Sequence, residues 1–97
     1  MAQNGKLGIR ATEVFEQDGI TYVRYHTTCV VVFDVMTIAL DSGGWKTATT
    51  KNRMNQASNE FDLGFYVFQK HFDWFVEYQG ETILFEDGMI LTRRIAT

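Results

Sequence analysis

Helical periodicity occurs once in this chain, and short β-type runs fill the sequence on both sides of it. Met54, Ala57 and Phe61 stand at i, i+3 and i+7, which places them on one face of a helix over about residues 50–61, with Gly64 expected to close it. The other runs are rich in β-branched and aromatic residues and end at glycine or aspartate. Strands so closely spaced pair antiparallel, because parallel pairing needs a long crossover.

The β-type runs predict the rest of the architecture. They cover residues 9–15, 20–26, 29–33, 35–40, 65–70, 74–78, 81–85 and 89–92. Asp18-Gly19 and Gln79-Gly80 stand between neighbouring runs, as is typical of β-hairpins. The sequence therefore predicts an α+β fold, in which an antiparallel sheet of about six to seven short strands carries the helix on one face. A small, partly open β-barrel plugged by the helix is the alternative.

Length and composition indicate one globular domain. Residues 1–97 are expected to form a single α+β domain, with the polar residues 1–8 flexible at its start. Hydrophobic residues make up 45% and charged residues 22%, as in an ordinary globular protein. No apolar run is long enough to span a bilayer, and no apolar leader opens the chain. Because the single cysteine also suits a reducing compartment, the expected location is the cytoplasm, with no membrane association.

The segment that leads into the helix carries the residues best suited to a ligand. Glycines let the backbone approach a bound group, and a helix N-terminus offers free N–H groups and partial positive charge. With the nearby hydroxyls and cations, the predicted site for a nucleotide or another small anion consists of Ser42, Gly43, Gly44, Trp45, Lys46, Thr49, Thr50, Lys51 and Arg53. The Walker A and dinucleotide-binding motifs are absent. The same residues also fit a plain glycine turn and a helix capped at Thr49 or Thr50.

The two tryptophans and the few nucleophilic residues favour binding over catalysis. Trp45 either stacks on a base or fills a partner's pocket, or it covers the edge of the core, whereas Trp74 is expected inside the core. Cys29 lies in an apolar run and is expected to be buried and inert. His26 and His71 lack companions at metal-ligand spacing. The sequence therefore predicts no catalytic residues, no metal, no cofactor and no enzymatic activity.

Charge is unevenly distributed along the chain. The net charge of −3 disfavours binding to nucleic acid through bulk electrostatics. The charged residues of 43–53 are all basic, whereas the charged residues of 60–87 are all acidic except Lys70. A solvated surface explains both runs, but the acidic region is also compatible with imitation of a nucleic-acid backbone.

Part of the chain resembles a family of small proteins in tailed-phage and marine viral genomes. The resemblance lies in LDSGGWKTATTKNRMNQ at residues 40–56, VFQK at 67–70 and WFV at 74–76, preceded by YHTTCVV at 25–31. It covers roughly residues 22–91 and implies a viral origin and the cytoplasm of an infected cell. It implies no activity and assigns no functional residues.

Three functions remain open from the sequence. The first is a non-enzymatic accessory protein that binds a host or phage macromolecule through a strand edge or an aromatic patch around Trp45. The second is a small-ligand binder that holds a nucleotide or other phosphate compound at residues 43–53. The third is single-stranded nucleic-acid binding by an aromatic sheet face, which the acidic second half disfavours. Homo-oligomerisation fits each of them.

Overall fold

The computed structural model describes residues 12–93, and over that range the fold is α+β, as predicted. Among the described residues, eight strands form two antiparallel sheets and one helix is present. The elements in chain order are β1 (Thr12–Gln17), β2 (Ile20–Tyr25), β3 (Thr28–Phe33), β4 (Thr37–Leu40), α1 (Ala48–Glu60), β5 (Phe65–Lys70), β6 (Asp73–Tyr78), β7 (Glu81–Leu84) and β8 (Met89–Thr92). The predictions for residues 1–8 and for the start of the first strand lie outside the described range.

The strands divide into two sheets where one was predicted. Sheet A has the order β1-β2-β3-β4-β8, and sheet B has the order β5-β6-β7. Because β8 returns to pair with β4, the helix and all of sheet B are inserted between two neighbouring strands of sheet A. Neither sheet closes on itself, so the barrel alternative is wrong.

Two hairpins have the turn chemistry that the sequence indicates. Asp18 and Gly19 connect β1 to β2, and their φ angles are 55° and 81°. Gln79 and Gly80, at 50° and 81°, connect β6 to β7. Positive φ at both central residues is the condition of the type I′ turn, whose twist matches that of the strands it joins.

The helix begins at a different cap from the one predicted. Thr47 is the N-cap, because its backbone is extended (φ −110°, ψ 164°) and its Oγ1 accepts the Thr50 N–H at 3.2 Å. The prediction of Thr49 or Thr50 is therefore wrong, since both residues already have helical geometry.

The helix also ends before the predicted glycine. Asp62 follows the C-cap residue Phe61 and takes the left-handed conformation with φ 56°. The Leu63 N–H can then donate to the Ser58 carbonyl at 2.9 Å, which satisfies one of the last helical carbonyls. Gly64 is also left-handed, but it lies beyond this closure and does not make it.

Both sheets share one hydrophobic core beneath α1. The helix packs mainly on β5 and also against β2 and β3. Met54 and Ala57 of the predicted apolar stripe are fully buried, and Phe61 packs on Phe33 with 5.2 Å between ring centroids. Trp74 is buried, as predicted, and meets Phe85 edge-on. The buried apolar residues are Val23, Val30, Val31, Ile38, Leu40, Met54, Ala57, Leu63, Phe65, Val67, Trp74, Val76, Tyr78, Phe85 and Leu91.

Two helix side chains bind the free edge of β5. Asn55 Nδ2 donates to the Val67 carbonyl at 2.9 Å, and Asn55 Oδ1 accepts the Val67 N–H at 2.8 Å. Ser58 Oγ donates to the Phe65 carbonyl at 2.7 Å and accepts the Phe65 N–H at 3.0 Å. The helix thus supplies the hydrogen bonds that another strand would supply, and sheet B ends at β5 for that reason.

A β-bulge interrupts the pairing of β2 with β3. Val23 pairs with Val31, whereas Arg24 pairs with Cys29, so Val30 is the extra residue. Val30 and Val31 are consequently both buried. Cys29 points to the other face, opposite Arg24, and is only partly buried, which corrects the expectation that it is a core residue.

Asp34 organises the bend between β3 and β4. Its Oδ1 accepts the Thr37 and Met36 N–H groups, each at 2.8 Å, and its carbonyl oxygen accepts Arg93 Nη1 at 2.7 Å. These N–H donors, Thr37 first, favour the ionised carboxylate, and they hold the pKa of Asp34 below its ordinary value. Because the folded-state pKa is depressed, the stabilisation is present above the unfolded pKa and is lost as the pH falls through the folded pKa.

Asp34→Asn is therefore expected to reduce the fall in the free energy of unfolding as the pH is lowered, since the amide keeps an acceptor oxygen but cannot titrate. Denaturant unfolding measured from about pH 5 down to about pH 2 tests this. The control, Glu81→Gln, removes an exposed carboxylate from β7 and should leave the acid limb unchanged. If both variants reduced this fall equally, the net charge of the protein, rather than the hydrogen bonds of Asp34, would control the loss of stability at low pH.

Candidate functional site

The loop between β4 and α1 is held by the turn between β7 and β8. Ser42 is 1% exposed, and its N–H and hydroxyl both donate to Asp87 Oδ1, at 2.8 and 2.7 Å. Gly43 follows with φ 66°, and a Cβ at this position would lie 2.2 Å from Thr28 Oγ1. The loop backbone therefore runs directly against the β2–β3 turn, and only glycine fits at the point of contact.

A cleft of about 420 Å³ opens between this loop and the β2–β3 turn. Residues 25–28 line one side, Ser42, Trp45 and Thr47 line the other, and Val30 contributes an apolar surface. The Trp45 side chain is 69% exposed although its backbone is fixed, because its N–H donates to the Ser42 carbonyl and its carbonyl accepts the Thr47 N–H. The indole therefore does not cover the core, which removes one of its two interpretations.

The predicted cations do not line this cleft. Lys46 Nζ lies 5.7 Å from the centroid of the Phe85 ring, and the Arg53 guanidinium carbon lies 5.3 Å from the centroid of Tyr25. Lys51 is part-buried on the first turns of the helix. Anion binding by this segment stays a prediction. In the structure, Lys46 packs on Phe85 and Arg53 packs on Tyr25, so the two cations do not converge on one point.

Several predicted site hydroxyls serve the fold. Thr50 is 1% exposed, and its Oγ1 accepts the Thr47 hydroxyl at 3.1 Å. Ser42 Oγ accepts the Gly44 N–H at 3.1 Å while it donates to Asp87. Thr49 is part-buried on the first helical turn and does not line the cleft. Of the residues predicted for the site, Ser42 and Trp45 contribute to the cleft walls.

A second surface lies on sheet B, on the face turned away from α1. Phe68, Phe75 and Leu84 are directly paired across β5, β6 and β7, and Tyr66 stacks on Phe68 with 6.0 Å between centroids. The rings of Phe68 and Phe75 lie 5.8 Å apart and nearly parallel. Tyr66 and Leu84 are 54% and 53% exposed. We call these four residues the aromatic face.

Sheet A continues this apolar character on its own outward side. One apolar residue from each strand falls in a single cross-strand row: Phe15, Tyr22, Val32, Ala39 and Ile90. The molecule measures 38 × 36 × 19 Å. A thickness of 19 Å accommodates one sheet layer and one helix layer, each about 10 Å deep, and leaves no room for a third layer on the outward side.

The charges on the aromatic face are few and specific. Glu77 lies on the central strand directly opposite Tyr66, and no described residue forms an ion pair with it. Lys70 and Asp73 are cross-strand neighbours at the end of the β5–β6 hairpin. An exposed carboxylate therefore borders the aromatic face, between Tyr66 and Thr82 and beside the β6–β7 turn.

Within residues 12–93, no group of three or more His, Cys, Asp and Glu side chains is arranged so that it could hold a metal ion. His26 and His71 occupy separate turns, each with a left-handed backbone. The helix of the described range is too short and too polar to cross a membrane.

The sequence predicts an aromatic sheet face and a contact around Trp45, but it does not indicate which other residues form either surface. The aromatic face had a signal in FYVF at 65–68 and WFV at 74–76, where apolar residues fill both faces of a strand. The cleft had no such signal, because its two walls lie on segments that are brought together by tertiary contacts, among them that of Gly43 with Thr28.

A model of the protein family described as Kyanoviridae Gp96 protein matches residues 2–92. The matched region contains the cleft, the aromatic face and all the described strands. No curated protein and no solved structure matches the chain. The phage origin that the resemblance implied is thereby confirmed, over a longer stretch than the resemblance covered.

Proposed function

The chain belongs to the Kyanoviridae Gp96 protein family, and on that premise we propose that this phage protein acts by binding another protein and catalyses no reaction. The observation that carries the proposal is the aromatic face. Large exposed apolar patches on small proteins mark interaction surfaces, and aromatic residues dominate the energetics of such contacts. The patch is preformed, because ring stacking and strand pairing already hold it in place.

The charge pattern favours a partner of different sequence. Burial of Glu77 without a counter-ion would be costly, so the partner must present an arginine or lysine to it. A second copy that packs its aromatic face on this one with like residues opposed would bring two Glu77 carboxylates together, and Lys70, the cation that the described structure places on that face, is already in register with Asp73. Glu77 also disfavours single-stranded nucleic acid, which uses aromatic faces but carries negative phosphates. The expected partner is therefore a phage or host protein with an apolar surface and a basic residue at its border, opposite Glu77.

Matched charge substitutions test this surface. Tyr66→Lys and Leu84→Lys alter exposed members of the aromatic face, and Val35→Lys alters a 70% exposed apolar residue at the β3–β4 bend. Tagged variants are used to capture proteins from infected host cells, and the retained proteins are quantified by mass spectrometry. The proposal predicts a protein whose retention falls about tenfold or more with both aromatic-face variants and is unchanged by Val35→Lys.

The captured protein is then purified and titrated directly. Glu77→Gln is expected to weaken binding and to flatten its dependence on salt, because a charge pair has been removed. Sedimentation of the free protein provides the alternative outcome: a dimer that Tyr66→Lys dissociates would assign the face to a second copy and overturn the proposal. Retention that none of the face variants reduces would also overturn it.

A further inference from the structure

We propose that the cleft between the β2–β3 turn and the β4–α1 loop binds the base of a nucleoside, a neutral flat heterocycle with hydrogen-bonding edges. The inference is independent of the proposed function, because the cleft and the aromatic face have no residue in common. Its volume of about 420 Å³ lies within the range of small-ligand pockets.

The cleft offers flat rings on both sides. Trp45 presents a largely exposed indole from one wall, and Tyr25 and His26 contribute the rings of the other. The Tyr25 and His26 rings contact each other with centroids 4.3 Å apart, and the Arg53 guanidinium packs on Tyr25. These contacts fix the Tyr25 ring before any ligand arrives. Stacking on prearranged aromatic rings is the interaction that proteins use most for bases, since every base has a π face.

The hydroxyls of the β2–β3 turn suit the edges of a base. Thr27 and Thr28 line the cleft, but Thr28 Oγ1 lies against the Gly43 backbone, whereas the exposed Thr27 hydroxyl has no hydrogen-bond partner among residues 12–93. A threonine hydroxyl can donate or accept, so it can match either kind of group on a base edge. The hydroxyls of Ser42 and Thr47 face the same space but are occupied by bonds within the fold. Thr27 is therefore the side chain that would hydrogen-bond to the base edge.

Because the cleft has no charged side chains among its lining residues, the ligand is expected to be uncharged. No lysine, arginine, aspartate or glutamate is among the residues that line the cleft. A phosphate would gain no cation there, and Lys46 and Arg53 are held against Phe85 and Tyr25. The cleft also lacks the carboxylates that grip the paired hydroxyls of sugars. A nucleoside, whose recognition rests on its base, is thus a better fit than a nucleotide or a free sugar.

Calorimetric titration with adenosine, cytidine, adenosine monophosphate and ribose tests the inference. At least one nucleoside should bind with one molecule per chain, ribose should not bind, and the monophosphate should bind no more tightly than adenosine. Trp45→Leu and Thr27→Val should each weaken nucleoside binding by about tenfold, and binding by Trp45→Phe should stay close to that of the unaltered protein. The control Phe72→Ala removes a 94% exposed ring from the β5–β6 turn and should have no effect.

Three results would overturn the inference. They are no binding of either nucleoside, equal weakening by Phe72→Ala and Trp45→Leu, and much tighter binding of the monophosphate than of adenosine. The last would relocate recognition to the phosphate and to the cations of the predicted anion site. Unchanged circular dichroism of each variant excludes misfolding as the cause of lost binding.

Discussion

Asn55→Ala is expected to lower the free energy of unfolding by about 3 kcal/mol, measured by urea or thermal denaturation. The Asn55 amide makes two hydrogen bonds to the backbone of Val67, a residue that is fully buried. After truncation, the Val67 N–H and carbonyl lose their partners at a part-buried position. An unsatisfied buried polar group costs about 1–3 kcal/mol, and here there are two of them.

Asn52→Ala is the matched control for this loss. Asn52 lies on the same helix and is exposed, so its substitution reports only the difference in helix propensity, about 0.6 kcal/mol in favour of alanine. Ser58→Ala, which unpairs the Phe65 N–H and carbonyl at a buried position, should destabilise the protein at least as much, by about 3 kcal/mol. If Asn55→Ala and Asn52→Ala had equal stability, the helix would not be what completes the hydrogen bonding of β5.

These two side chains also explain why the sequence predicts one sheet and the structure has two. The helical stripe of Met54 and Ala57 indicates the buried face of α1, and both residues are indeed buried. Asn55 and Ser58 are ordinary helix residues in the sequence, and nothing in their spacing indicates that they replace a strand. Strand order depends on such distant contacts, whereas turns such as Asp18-Gly19 depend on two adjacent residues.

The start of the helix shows the same limit on a smaller scale. Thr47, Thr49 and Thr50 all have the side chain of an N-cap, so composition alone leaves the start uncertain by up to one turn. The structure selects Thr47, because its hydroxyl meets both the N–H and the hydroxyl of Thr50. Thr49 and Thr50 then become part of the first turn, which leaves Trp45 in an exposed position before the helix.

The candidate surfaces follow from which strand faces are turned toward α1 and the core. Within residues 12–93, α1 packs on β2, β3 and β5, and the alternate residues of these strands face away from it. Tyr66 and Phe75 belong to the outward set by strand alternation alone, but their exposure follows from the two-layer thickness of the molecule. The sequence therefore contains the residues of the proposed interaction surface without indicating that they stay uncovered.

Asp87→Ala is expected to destabilise the protein by about 2 kcal/mol and to loosen the β4–α1 loop. The Asp87 carboxylate accepts both the N–H and the hydroxyl of the buried Ser42, across a separation of 45 residues. It thereby ties the end of β4 to the β7–β8 turn, beside the bond from the Gly88 N–H to the Leu40 carbonyl. Without it, two buried donors of Ser42 lose their acceptor.

Three further variants separate the hydrogen bonds from the charge. Asp87→Asn keeps an acceptor oxygen and should cost much less than Asp87→Ala, while Glu86→Ala removes a neighbouring charge and should be close to neutral. In a double-mutant cycle, Ser42→Ala and Asp87→Ala should show a coupling free energy of about 1 kcal/mol, because the hydroxyl bond is lost only once. Since the same loop carries Trp45, Asp87→Ala should also increase amide hydrogen exchange at residues 42–47. Additive free energies with unchanged exchange would mean that the loop is held by its glycine contact with Thr28 instead.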